Sequence, residues 1–161
     1  IMIVMHPEHI AGAERMTEYG LNAVCGNPAD STLSLGYMFY SGLFDRFPNL
    51  KICALHGGGF LPFHLGRFDK EFFTGQKTRP ALAKQPPSAY LKNLYFDTLV
   101  YDVDTLEYLQ AKVGTGKLML GTDYPYTLGD WMAVEKVQAL KCSDADKEAI
   151  LVGNAKRLLK L

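Results

Sequence analysis

The sequence predicts an α/β fold built on a parallel sheet, and three observations carry that prediction. Four short apolar runs, Ile1–Met5, Lys51–Leu55, Leu94–Val100 and Lys117–Leu120, are each closed within two residues by Gly, Pro or Asp. Runs this short and this apolar suit strands buried on both faces. Helix-like segments separate them, and the order strand, helix, strand, helix favours parallel strands joined by crossovers. A histidine or carboxylate lies within or just beyond the end of each run (His6, His56, Asp97 or Asp102, and Asp123), where reactive groups collect in parallel α/β folds.

The elements between the runs follow from local chemistry. Asp30-Ser31-Thr32 offers N-caps for a helix through Leu33, Tyr37, Tyr40 and Phe44 that stops before Phe47-Pro48. A second helix is predicted from Pro62 to about Phe73, and Thr74 to Pro87, rich in Lys, Gln and Pro, reads as a surface loop. Asp102 or Asp104 caps a helix carrying Leu106, Leu109 and Val113, stopped by Gly114 and Gly116. Asp130 is expected to cap a helix through Val134, Val137 and Leu140. Ser143-Asp144-Ala145-Asp146 begins another with Ile150 and Leu151, continued or restarted over Asn154 to Leu161.

No repeat divides the chain, so residues 1–161 are expected to form one unit. Its four β/α pairs are half of eight, and a complete (β/α)8 barrel takes about 250 residues, more than the 161 here.

Composition narrows the function. With 17 basic against 17 acidic residues there is no broad basic field to attract nucleic acid, and 48% hydrophobic content is that of a soluble globular domain. The longest nearly unbroken apolar stretch, Leu35 to Phe44, is far short of the roughly 20 residues of a membrane span. The first residues lack the basic leader of a secretory signal. Three cysteines without a C-x-x-C pair suggest neither a disulfide framework nor a thiolate zinc site, which fits a reducing, cytoplasmic setting. Cys53, inside Ile52-Cys53-Ala54-Leu55, reads as a small buried hydrophobe.

The residues at the strand ends are the candidates for chemistry. Pro7 ends the first run and leaves His6 at its mouth; alone, such a histidine is usually structural. His56 precedes Gly57-Gly58-Gly59, where backbone can approach a ligand closely, and its imidazole titrates near neutral pH. Asp123, in Gly121-Thr122-Asp123-Tyr124-Pro125, would by itself mark a turn; beside two strand-end histidines, metal binding or proton acceptance is the stronger reading. Arg67, on the helix after the glycines, is either a surface ion-pair partner or a clamp on a carboxylate. Tyr124 and Tyr126 either wall a planar ligand or pack the last helices, and packing ranks first for Trp131. His9 and His64 are expected at the periphery.

Taken together, Met5-His6-Pro7, Leu55-His56-Gly57-Gly58-Gly59 with Pro62 and Gly66-Arg67, Gly121-Thr122-Asp123-Tyr124-Pro125, and Gly153-Asn154-Ala155 with Arg157-Leu158 resemble the metal-dependent amidohydrolase superfamily. The likeness is to its branch of aminocarboxymuconate-semialdehyde and aromatic-acid decarboxylases. Gly26, Pro28, Asp30-Ser31, Ser41-Gly42 and Arg46-Phe47-Pro48 extend it, although the branch usually has Glu-Thr at Asp30-Ser31.

The resemblance implies strands five to eight of a (β/α)8 barrel, the carboxyl-terminal half. It implies His6 and Asp123 as metal ligands, with His56 and Asp123 as catalytic groups. Arg67 would reach the carboxylate in a neighbouring subunit, which makes a homodimer the expected form. The cofactor implied is a divalent metal, zinc first and manganese second, lowering the pKa of bound water to roughly 7. The His-x-His pair of strand one occurs nowhere in these residues, so the chain alone is expected to leave the catalytic site incomplete.

The activity so implied is decarboxylation of a small unsaturated or aromatic carboxylic acid. Hydrolysis of a lactone or amide, or hydration of an unsaturated acid, uses the same ligands. A reading from another class is a non-catalytic fragment that binds a partner through its open sheet edge.

Overall fold

Strand residues alternate between the two faces of one four-stranded sheet in the computed structural model, which describes residues 2–75 and 80–161. Strands β1 (Met2–Met5), β2 (Lys51–Ala54), β3 (Leu94–Asp97) and β4 (Leu118–Met119) lie side by side in chain order and all run parallel. Ile3 pairs with Ile52, Cys53 with Tyr95, and Phe96 with Leu118. This register sends Ile52, Ala54, Leu94, Phe96 and Leu118 into the main core beneath the helices. Cys53, Tyr95 and Met119 face the other way and pack with Met2, Leu55, Ala155 and Leu158. Each fully buried Leu or Phe of the main core contributes about 1.5–3 kcal/mol relative to exposure.

Three strands are shorter than predicted, β2 by Leu55 alone. Beyond Asp97 the chain leaves the ladder through two consecutive tight turns, with Val100 N–H donating to Thr98 O at 2.8 Å and Asp102 N–H to Val100 O at 2.9 Å. Leu99 is apolar because it is buried, not because it is in a strand. Lys117 belongs to a helical turn over Thr115–Lys117, so β4 begins at Leu118.

The first helix starts earlier than its polar triplet suggested. Helix α1 spans Asn27–Tyr40 and grows out of a wide turn over Asn22–Gly26, with Pro28 in its first turn, where no backbone N–H is needed. Asp30, Ser31 and Thr32 therefore lie inside the helix and do not cap it. Thr32 Oγ1 instead donates to Pro28 O at 2.8 Å and accepts Phe60 N–H at 2.7 Å, tying α1 to the segment after the glycine turn. Phe44 is not on α1: Gly42, at φ +69°, breaks the helix, and a short α2 (Leu43–Arg46) follows.

Helix α3 (Leu61–Gly75) matches the prediction within two residues at each end. Of the predicted loop after it, residues 76–79 lie outside the described residues, and Pro87–Asn93 coils into helical turns ahead of β3. Asp102 rather than Asp104 caps α4 (Val103–Val113), accepting Thr105 N–H at 2.9 Å, and Gly114 ends it at φ +87°.

Helix α5 (Ala133–Gln138) is shorter than expected. Asp130 stands ahead of it, accepts Met132 N–H at 3.0 Å and pairs with Lys136, and Leu140 lies past its end. Ser143 caps α6 (Asp144–Glu148) as predicted, accepting Asp146 N–H at 3.1 Å. A wide turn over Ala149–Gly153 leads into α7 (Asn154–Leu159). Buried Asn154 donates to the carbonyls of Thr115 and Leu118, each at 2.8 Å, and fastens α7 to the start of β4.

Among the described residues, β1 pairs only with β2. Ile3 and Val4 are accordingly 47% and 57% exposed, as expected of an edge strand that is apolar on both faces. No described helix is long and apolar enough to cross a membrane.

Candidate metal centre

Three of the strand-end side chains meet. His6 follows β1 directly, His56 stands two residues past β2, and Asp123 four residues past β4, all at the carboxyl edge of the sheet. The ligand atoms that His6, His56 and Asp123 offer lie within 4.8 Å of one another. Asp123 Oδ1 is 3.8 Å from His6 Nε2 and 4.0 Å from His56 Nε2. Both separations are too long for direct hydrogen bonds, so the three groups face a common space without satisfying one another.

The backbone is held in an uncommon conformation to achieve this. His56 sits at φ +57° and Asp123 at φ +56°, the left-handed region that is costly for most side chains and least so for Asn, Asp and His. At His56 the cause is the turn over Gly57, Gly58 and Gly59, all at positive φ. A Cβ on Gly59 would lie 2.2 Å from Pro28 O, so only glycine allows the turn to close on α1. Tyr124-Pro125, next to Asp123, has a cis peptide bond.

Electrostatics keep His56 a base. Burial, the largest influence, holds its imidazole below the usual histidine range, against the opposing pull of the Asp123 carboxylate. Its Nδ1 is buried without a partner among the described residues. A neutral imidazole is the form that binds a metal or accepts a proton. Two imidazole nitrogens and one carboxylate oxygen form a mixed donor set suited to a divalent ion such as zinc or manganese, so the residues present fit a metal.

Above the cluster, His56 and Asp123 open into a pocket of about 400 Å³ walled by Val24, Pro28, Phe60, Leu99, Val100 and Leu128, with Tyr101 at its rim. Tyr126 stacks on His6, the ring centroids 5.8 Å apart and the planes 14° from parallel. Tyr126 thus packs on His6 itself and is not among the residues that line the pocket. Trp131, ranked first as a packing residue, is 69% exposed and meets the ring of Tyr124 edge-on, because α5 starts only after it and turns Ala133 and Val137 inward instead.

Arg67 is not gathered into this cluster. It is exposed on α3 and lines a separate groove of about 640 Å³ with Tyr40, His64, Lys70 and Glu71; Phe60 borders both spaces. His9 is likewise exposed. Of the two carboxylates considered after the third run, Asp102 is the helix cap and Asp97 is buried beneath the site, where burial pushes its carboxyl up to about 6.

Sequence reasoning missed Tyr101. It is an aromatic residue at φ +62°, so three of the five described non-glycine residues at positive φ, His56, Tyr101 and Asp123, line one pocket. The only sequence signal was its place between the third run and the capping Asp102.

Comparison with known proteins agrees with this geometry. The family model described as Amidohydrolase matches residues 1–161. The 2-amino-3-carboxymuconate-6-semialdehyde decarboxylase of Dictyostelium discoideum is 36% identical over 160 residues, which are 99% of this chain and 45% of that protein. The crystal structure of 5-carboxyvanillate decarboxylase from Sphingomonas paucimobilis superimposes with a TM-score of 0.90 at 29% identity, covering 100% of this chain and 50% of that one. A dihydroxybenzoic acid decarboxylase from Polaromonas, solved with bound manganese and an inhibitor, superimposes at 0.83 with 26% identity, over 100% of this chain and 50% of that one. The chain thus spans about half the length of these relatives. Parallel sheet, strand-end histidines and aspartate, and a family match over the whole chain place the protein in the amidohydrolase superfamily, in its aminocarboxymuconate-semialdehyde decarboxylase-like branch.

Proposed function

We propose that residues 1–161 are the carboxyl-terminal half, strands five to eight, of a (β/α)8 metalloenzyme that decarboxylates a small aromatic or unsaturated carboxylic acid. The observation that carries this reading is the convergence of His6, His56 and Asp123 beneath an apolar-walled pocket, in a chain whose similar proteins include several decarboxylases beside one hydratase. His6 and Asp123 hold the metal, zinc first and manganese second, and His56 stands close enough to ligate it or to work beside it. Once bound, such an ion supplies Lewis acidity toward carboxylate oxygens and lowers the pKa of water.

The chain's own groups divide the remaining work. Phe60, Leu99, Val100 and Leu128 shield a planar ring from water, and Tyr126 extends that wall over His6. His56, kept neutral by burial, takes up a proton from solvent at Nε2 and, as the imidazolium, delivers it to the ring or alkene carbon as the bond from that carbon to the carboxylate breaks, returning to the neutral form. One proton is added as one carbon dioxide leaves. Arg67, remote from the cluster within one chain, clamps the substrate carboxylate across a homodimer interface. A cytoplasmic location accords with the unpaired cysteines.

The test is carbon dioxide release from a panel of hydroxybenzoates and unsaturated dicarboxylic acids by the metal-loaded intact barrel, these residues joined to the half that carries strands one to four, with His56→Ala beside it. Release that depends on metal and on His56 is the expected result. Consumption of an unsaturated acid with uptake of water and no carbon dioxide would replace this reading with a hydratase.

A further inference from the structure

The His56 turn and the Asp123 loop come from strands that are not neighbours: β3 lies between β2 and β4. Whatever fixes their separation must therefore stand at the end of β3. Asp97 and Thr98 occupy that position, 4% and 2% exposed.

Asp97 Oδ1 accepts Gly57 N–H at 2.7 Å, one residue beyond His56, and Leu99 N–H at 3.3 Å. On the other side, Thr98 Oγ1 accepts Gly121 N–H at 3.2 Å and donates to Gly121 O at 3.5 Å, two residues ahead of Asp123. The fit is close: a Cβ on Gly121 would stand 2.6 Å from Asp97 Cβ and 3.0 Å from its Oδ2. One dipeptide thus grips both arms of the site from below.

We propose that Asp97 and Thr98 form a bracket of positioning residues that sets the distance between His56 and Asp123. This deepens the metalloenzyme reading above and adds two residues to its site. Within the turn Gly58 N–H donates to Leu55 O at 3.0 Å and Gly59 N–H to His56 O at 2.9 Å, whereas the acceptor for Gly57 N–H comes from outside it, as Asp97 Oδ1. Burying a carboxylate is costly unless it is hydrogen-bonded, so its retention here is explained by the bonds it accepts. The bracket works through one oxygen, so an amide in place of the carboxylate preserves it. Thr98 works through its hydroxyl, so the isosteric valine does not.

The experiment compares the full chain with Asp97→Asn, Asp97→Ala and Thr98→Val by two readouts. One is the affinity for Mn²⁺ and Zn²⁺; the other is the NMR contact between the rings of His6 and His56, whose centroids are 5.0 Å apart. Asp97→Ala and Thr98→Val are expected to lower metal affinity on the order of 10–100-fold, as losses of supporting bonds around a metal site do, and to weaken the ring contact. Asp97→Asn stays near wild type in both. If Asp97→Ala fails to fold, Asp97→Asn and Thr98→Val decide the matter. Thr98→Val with unchanged affinity and ring contact, or Asp97→Asn as impaired as a metal-site knockout, overturns the bracket. A wild-type chain that takes up no metal sinks the metalloenzyme reading instead, and the ring contact in the variants then decides the bracket alone.

Discussion

Replacing Asp123 by Asn keeps the shape of the side chain and removes its charge, which isolates the electrostatic part of the site. Asp123 Oδ1 lies 3.8 and 4.0 Å from the two imidazole nitrogens, and all three ligand atoms fit within 4.8 Å. A cation among them is therefore close to the carboxylate. Two unit charges about 4 Å apart, at an effective dielectric near 20, interact by about 4 kcal/mol. At about 1.4 kcal/mol per decade, losing even one unit of that attraction weakens binding roughly a thousandfold, and a divalent ion has more to lose. Titration calorimetry with Zn²⁺ and Mn²⁺, backed by elemental analysis of dialysed protein, reads this directly. Far-ultraviolet circular dichroism checks that the variant is folded. Wild-type affinity in folded Asp123→Asn would refute the assignment of the carboxylate as a ligand, since no rearrangement of two histidines alone makes up three decades.

Three further outcomes test the fold beneath the site. Gly59→Ala places a Cβ 2.2 Å from Pro28 O at φ +64°, and is expected to lower stability by about 3 kcal/mol, or roughly 10 °C in a thermal melt of a chain this size; a melt shifted by only a degree or two would mean the glycine turn is not packed on α1 as described. Asn154→Ala leaves the carbonyls of Thr115 and Leu118 without their donor and is expected to cost about 1–3 kcal/mol in denaturant unfolding, against no change if α7 is held by packing alone. Burial pushes the Cys53 thiol up to about 12, so at pH 8 only about one molecule in ten thousand carries its thiolate; iodoacetamide is expected to label exposed Cys25 in the native protein and Cys53 only after unfolding, and early labelling of Cys53 by mass spectrometry would contradict its place in the sheet.

Much of the candidate site was legible because it is written in short segments. An apolar run closed by Pro7 leaves little choice but a strand ending at His6, and Gly57-Gly58-Gly59 announces a turn at which His56 is the last residue with a side chain. Where sequence reasoning erred, a distant partner had changed the meaning of a local signal. Thr32 has a capping side chain, but that side chain serves Phe60 N–H from another segment, and the helix it was meant to start begins earlier, at Asn27. Leu99 and Val100 look like strand residues because they are apolar, yet the tight turns after Asp97 take them off the ladder.

By itself, the sequence determined the α/β class, the parallel direction of the strands, and the residues at the strand ends, because burial, turn closure and helix caps act over a few neighbouring positions. Only the tertiary structure decided which of those residues meet. His6, His56 and Asp123 converge, Asp97 turns beneath them as an acceptor, Asp102 caps a helix, and Arg67 faces a groove of its own. The first three fates belong to histidines and aspartates in similar positions, at or just beyond a strand end, while Arg67 lies on α3. What separates them is the direction in which the backbone leaves each strand, set by the positive φ angles at His56, Tyr101 and Asp123 and by bonds such as that from Gly57 N–H to Asp97 across 40 positions. A left-handed residue is stable only when packing from elsewhere in the chain compels it, so its identity can be read from the sequence and its orientation cannot.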